Sequence, residues 1–264
     1  MTDSSAQDHK DRQMTLAQHL IELRRRLFRG ALGFLLGAVA GWFLTGTVMD
    51  ALREPITEIS RQQHGRQAML NFDSITGAFD LKIQLALTIG AIISSPIWLY
   101  QIWAFFVPAL TRRELKYAFG FFFTAVPLFL IGGYVGWLVV PHIVALLTSF
   151  ASSQDSAIID AKTYFSFIMK IVIAVGVAFV LPVFLVLLNF VGVISAQSII
   201  KSWRWALIII TLFTALVTPA ADVISMFLLA VPMVALYFAA YAVSWLHDRR
   251  VVKISDDIDA GLAI

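Results

Sequence analysis

The sequence predicts an all-α polytopic membrane protein, and three observations carry that expectation. Hydrophobic residues make up 59% of the 264 residues and charged residues only 14%, with a mean hydropathy of +0.81, far too apolar a balance for a soluble domain of this length. The apolar residues gather into six separate runs, at 30–48, 81–107, 117–140, 164–193, 203–217 and 223–246. Lysine and arginine fall unevenly between the connections. With Arg204 counted in the fourth loop, the N-terminus, the second and fourth loops and the C-terminal tail hold 14 of the 20. Positive charge stays on the cytoplasmic side of a membrane, so six transmembrane helices with both termini cytoplasmic are expected.

The first run, at 30–48, is borderline for about 30 Å of hydrocarbon at roughly 1.5 Å per residue. Arg24, Arg25 and Arg26, an apolar stretch and Ala38-Val39-Ala40 also have the outline of a cleavable signal peptide. The stretch continues through Trp42, Phe43 and Leu44, however, and the charge distribution works with an uncleaved helix. Gly33, Gly37 and Gly41 lie four apart on one face, which can pack closely against another helix. Gly132 and Gly136 repeat the spacing in the third run. Pro96, Pro127, Pro182 and Pro232 each interrupt a different run, and a proline inside a helix removes a hydrogen bond and bends the axis. Bent helices side by side would make a concave wall. The fifth run, at 203–217, reaches only roughly 22 Å, so its span is short or the bilayer is thinned around it. Residues 1–264 read as a single integral membrane domain, with polar tails at 1–13 and 248–264 expected to be disordered.

Catalytic patterns are missing from the sequence. It contains no cysteine, no glycine-rich phosphate loop, no HExxH and no carboxylate pair within an apolar run; no cofactor or metal is expected and an enzyme is not predicted. Lys82 and Lys170 fall near the outer ends of their runs, where long side chains snorkel. The remaining candidates are carboxylates at the water interface. Glu22 precedes the first run on an amphipathic turn striped by Leu16, Leu20, Leu23 and Leu27 and is spaced for an i,i+4 pair with Arg26. Thr111-Arg112-Arg113-Glu114 fits a capping box. Either structural role leaves a second carboxylate oxygen free.

Three stretches, "HLIELRRRL" at 19–27, "SSPIWLYQIWAFFVPALTRREL" at 94–115 and "VTPAADVIS" at 217–225, together resemble the TatC family, the signal-recognition subunits of the twin-arginine protein translocase. The resemblance runs from about Leu16 to Arg250. It implies a glove-like wall of six bent helices in the cytoplasmic membrane of a bacterium, taking part in export of folded proteins. Glu22, Arg24, Phe105 and Glu114 match the family's signal-peptide positions, so the resemblance implies that Glu22 and Glu114 receive the paired arginines. Pro55 matches a proline of the first outer loop, Pro96, Tyr100, Gln101 and Pro108 match the second span and its exit, and Asp160 with Tyr164 match the start of the fourth span. Thr218, Pro219 and Asp222 match the turn before the last span, in a region where the family docks the single-span TatA and TatB proteins. A multi-copy complex is implied as well.

Four positions depart from the family pattern. Val180 and Phe238 stand where glutamates are common, Met226 where a glutamine is common, and Gly77 where an acid is frequent. They bear on the inner surface of the cup and on partner docking rather than on the cytoplasmic acids. Two other readings are an ion-coupled solute transporter and a membrane scaffold; neither explains the paired interfacial acids.

Overall fold

The protein is described by a computed structural model covering residues 16–62, 69–72, 74–106, 114–149, 158–218 and 222–262. Its elements are helix α1 (Leu16–Gln62), strand β1 (Met69–Asn71), helices α2 (Gly77–Ile93), α3 (Ser95–Phe106) and α4 (Glu114–Ser149), strand β2 (Ile158–Asp160), and helices α5 (Ala161–Phe190), α6 (Ala196–Lys201), α7 (Trp203–Val217) and α8 (Val223–Leu262). The fold is thus nearly all helical, as the composition demands. The two three-residue strands pair in parallel, Met69 opposite Ile158 and Asn71 opposite Asp160, and tie the α1–α2 connection to the α4–α5 connection.

Four helices, α1, α4, α5 and α8, contain segments long and apolar enough to cross a membrane, and the bent pair α2 and α3 makes a fifth when taken as one span. The apolar run at 81–107 is therefore a broken helix, bent by 59°. The break falls at Ser94, just ahead of Pro96, whose ring has no N–H to continue the ladder. The indole of Trp98 donates to Ala91 O at 2.8 Å, satisfying a carbonyl close to the break. Helices α4, α5 and α8 run on through Pro127, Pro182 and Pro232 without interruption of their assignment. The sixth apolar helix, α7, has 15 residues, short of a full crossing by length alone.

Two expectations about helix ends are corrected. Pro55 falls inside α1, which extends to Gln62, rather than in a loop; a helix already nucleated across the bilayer extends at little cost. The stretch 248–262, expected to be part of a disordered tail, is likewise helical, because α8 continues to Leu262. The tail at 1–13 lies outside the described residues.

Helix α5 is the centre of the bundle. In its apolar window 61% of residues are buried, against 22–33% in the other three long helices, which fits a helix that is hydrophobic all round. Its outer half packs Phe165, Ile168 and Val172 on Leu81, Leu85 and Ile89 of α2 and on Leu52 of α1. Its inner half packs Val180, Val183 and Leu187 on Phe121 and Phe129 of α4 and on Leu99 and Trp103 of α3. Val180, where the family often has glutamate, is therefore a core residue at 3% exposure.

Glycine sets the closest approaches. A Cβ at Gly37 would lie 2.6 Å from Gly90 O, and one at Gly90 would lie 2.5 Å from Ala38 Cα, so α1 and α2 touch backbone to backbone at Gly37 and Gly41, while Gly33 on the same face meets the Ile97 side chain of α3. Gly132 does the same for α4 against α5, where a Cβ would meet Val175 O at 2.8 Å.

Candidate functional site

The arginine run places one end of α1 at the cytoplasmic edge, and there the structure assembles Glu22, Arg26, Gln101 and Phe105. Glu22 and Arg26 are one helical turn apart, and both guanidinium contacts go to the same oxygen: Arg26 Nε donates to Glu22 Oε1 at 2.9 Å and Nη2 at 2.5 Å. The pair is only about one-fifth exposed on either side. Glu22 Oε2 is buried and has no hydrogen-bond partner among the described residues. The ion pair and a free acceptor therefore coexist on one carboxylate, as the spacing allows.

Beside this pair, α1 and α3 diverge around an apolar groove of about 550 Å³, with Leu27, Gly30 and Phe34 on one wall, Trp98 and Phe105 on the other, and Arg26 at the rim. The groove lies where α3, turned by the bend at Ser94, runs against α1, with Ile97 on Gly33 and with Trp98 and Gln101 beside Gly30. Gln101 also lines it, and Gln101 Oε1 is buried without a donor. One polar acceptor thus lines a mostly hydrophobic recess, and the Glu22 carboxylate joins it through Arg26 at the rim. Buried acceptors left unmatched cost about 1–3 kcal/mol each, so this edge is organised for a ligand that brings donors on an apolar backbone.

The other predicted residues divide between this edge and the opposite end. Arg24 is exposed and outside the groove lining. Tyr100 faces away, its ring edge-on to Phe122 of α4 at 5.6 Å. Glu114 is the first residue of α4; its side chain, the rest of the capping box and Pro108 lie outside the described residues. At the far end Asp160 caps α5, accepting from Thr163 N at 2.8 Å, and these hydrogen bonds hold its carboxyl below the usual carboxylate range. Tyr164 donates to Leu52 O at 3.0 Å, joining α5 to α1.

Thr218 and Asp222 flank the α7–α8 turn at 5% and 1% exposure; Pro219 lies outside the described residues. Asp222 Oδ1 accepts from Ser225 N at 2.8 Å, whereas Asp222 Oδ2 and Ser225 Oγ are buried without partners among the described residues. Sequence reasoning did not single out Trp98 or Gly30, although a tryptophan two residues past a mid-span proline and a glycine directly after a basic run were visible signals. No group of three or more potential metal ligands occurs among the described residues.

A nearly all-helical polytopic membrane protein, broken at one span, with an ion-paired carboxylate and an apolar groove at one end of its first helix, is the class that the fold and the site define. Comparison with known proteins makes the class specific. The model of the family described as Sec-independent protein translocase protein (TatC) matches residues 18–232, and the chain belongs to that family. It is 42% identical over 239 residues to the Sec-independent protein translocase protein TatC of Xylanimonas cellulosilytica, covering 90% of this chain and 86% of that one. It is 29% identical over 248 residues to TatCy of Bacillus subtilis, covering 93% and 94%. Two solved structures of the twin arginine translocase receptor TatC superpose with TM-scores of 0.70 and 0.73 at 28% and 29% identity, over 86% of this chain and 98% and 99% of theirs. Those relatives are translocase proteins, which gives the solute-transporter alternative no support.

Proposed function

We propose that this protein is the receptor subunit of a bacterial twin-arginine translocase in the cytoplasmic membrane, and that Glu22 is one of two carboxylates that take the arginine pair of a signal peptide. The observation that carries the reading is the divided carboxylate: Oε1 is held by Arg26 and Oε2 is buried without a donor. A guanidinium presents a planar fork of N–H donors that satisfies such an acceptor. Glu114, at the start of α4, supplies the second acid, and Arg24 and Phe105 border the same approach. Family membership and the printed description of the two structural relatives as receptors support it.

In this reading the donors arrive with the ligand, and Arg26 keeps Glu22 oriented until they do. TatA-like and TatB-like single-span partners dock at α7 and the Thr218–Asp222 turn. Trp205, Ile208, Ile209, Leu212 and Leu216 of α7 form an exposed apolar stripe there, and the unmatched Asp222 Oδ2 and Ser225 Oγ offer a polar foothold beneath it. Pro55, Pro96, Tyr100, Asp160 and Tyr164 serve the shape of the receptor rather than contact with arginine, whereas Gln101 lends the groove an acceptor.

The test is binding of a synthetic twin-arginine signal peptide to purified protein, with crosslinking to locate it. Wild type should bind, and a peptide carrying a photoreactive side chain should crosslink near Phe105. Equal affinity of wild type and Glu22→Gln for the peptide at low salt would remove Glu22 from the site.

A further inference from the structure

A second pair of cavities lies on the other side of the bundle from the α1–α3 groove. An apolar cleft of about 460 Å³ runs between α4, α5 and α8, lined by Gly120, Phe121, Pro182, Val186, Ala239 and Val243 and bounded at one end by Phe190. Phe190 also lines a polar cavity of about 520 Å³ with Asn189, Gly192, Ser195, His247 and Asp248. The apolar runs of α5 and α8 stop at these same residues. One ring thus separates a hydrocarbon-level cleft from a headgroup-level cavity.

The polar cavity has a fixed and unfilled acceptor. Asn189 is 3% exposed, and its amide nitrogen donates to Ile194 O and to Asp248 Oδ1, each at 2.9 Å. Both amide hydrogens are thereby spent on acceptors, which settles the orientation of the group and leaves Oδ1 as the remaining atom. That Oδ1 is buried with no donor among the described residues. Asp248 Oδ2 accepts from Ala196 N at 2.8 Å, so the carboxylate braces the turn after α5, where Gly192 takes a left-handed φ of 79°. Neither lining contains lysine or arginine. The cavity offers acceptors and asks for donors.

We infer that cleft and cavity together form a binding site for one inner-leaflet phospholipid, with an acyl chain in the cleft and a donor-bearing headgroup of the ethanolamine kind against Asn189 and Asp248. The alternative occupant of an apolar cleft is a partner helix. The cleft, however, meets at Phe190 a polar cavity with a buried acceptor, for which a lipid headgroup brings a donor and the flank of an apolar helix does not. A flexible acyl chain fits the same space. The ammonium of the headgroup satisfies the acceptor and lies beside a carboxylate, whereas a choline headgroup has no N–H to give. This site is separate from the arginine-pair site and does not depend on it.

Native mass spectrometry of the full chain in detergent, titrated with phosphatidylethanolamine, phosphatidylglycerol and phosphatidylcholine of identical acyl chains, tests the inference. The ethanolamine lipid should be retained about tenfold better than the choline lipid, with the glycerol lipid, which has hydroxyl donors alone, between them. Asn189→Leu should erase that preference. Gly120→Leu should weaken retention of all three several-fold, because a Cβ at Gly120 meets nothing within 4 Å and the larger side chain enters the cleft without disturbing the fold. Should Asn189→Leu fail to fold, the wild-type preference and Gly120→Leu still decide the matter. Equal retention of ethanolamine and choline lipids by wild type, retention unaffected by Gly120→Leu, or displacement of bound lipid by a single-span hydrophobic peptide would each overturn it.

Discussion

At the outer contact of α1, α2 and α5, Tyr164 reaches Leu52 O, Ser166 donates to Gln84 Oε1 at 2.8 Å, and Lys162 pairs with Asp80 at 3.0 Å. At the inner divergence of α1 and α3, Glu22 Oε2 and Gln101 Oε1 stay buried and unmatched. Both regions join the same first helix to its neighbours, and they use polar side chains of similar reach. The first is closed upon itself, and each cross-helix bond replaces a contact that water would otherwise supply. The second leaves acceptors open beside an apolar recess. A region built only for stability has no reason to keep buried acceptors vacant, since each vacancy costs free energy. The α7–α8 turn, with Asp222 Oδ2 and Ser225 Oγ unmatched, belongs with the inner edge in this respect.

The largest expected effect separates the two regions most sharply. Glu22→Gln replaces a charge-assisted hydrogen bond, so affinity for a twin-arginine peptide should fall about tenfold or more while thermal unfolding in detergent shifts little. Glu114→Gln should lower affinity comparably and leave abundance unchanged, because glutamine also serves a capping box. A peptide with lysines in place of its arginines should lose less on either substitution, since lysine lacks the planar fork. Binding curves by fluorescence anisotropy at low salt would show all three, and a loss of folded protein matching the loss of binding would break the distinction.

Substitutions at the outer contact should do the reverse. Tyr164→Phe removes a hydrogen bond between α5 and α1 and should destabilise the protein by about 1 kcal/mol without altering peptide affinity. A fall in affinity with unchanged melting temperature would show that the outer end communicates with the receptor edge. Lys162→Met deletes an ion pair whose partners are 48% and 44% exposed, so its cost should be below about 1 kcal/mol and shrink with salt.

The smallest effect is a pH dependence. The Asp160 carboxyl titrates below its ordinary value of 3.8 because Thr163 hydrogen-bonds its charged form. A depressed folded-state value contributes stability above the ordinary value and loses it as pH falls through the lowered one. Wild type and Asp160→Asn should therefore converge in melting temperature as the pH is brought below 3.8. A gap that widened on acidification would assign the cap to another group.

Much of this was readable in the chain, and the division follows the range of the interactions. Six apolar runs and the uneven lysine and arginine fixed a helical, polytopic protein and its expected orientation, because burial in hydrocarbon depends on composition along the chain. The Glu22–Arg26 pair was readable because residues four apart share a helix face whatever surrounds them. The spacing of Gly33, Gly37 and Gly41 announced a close contact without naming Gly90 as the partner. Other features had no local signature. Pro96 marked a disturbance, yet the 59° bend and the groove beside it depend on how both halves of the broken span pack on α1. That Glu22 keeps one oxygen free, that Gln101 rather than Tyr100 faces the groove, and that Asn189 meets Asp248 from 59 residues away depend on how helices far apart in sequence pack. Helix formation is written in spacing of three and four residues; which faces meet, and which polar atoms are left over when they do, is decided by the packing of the whole bundle.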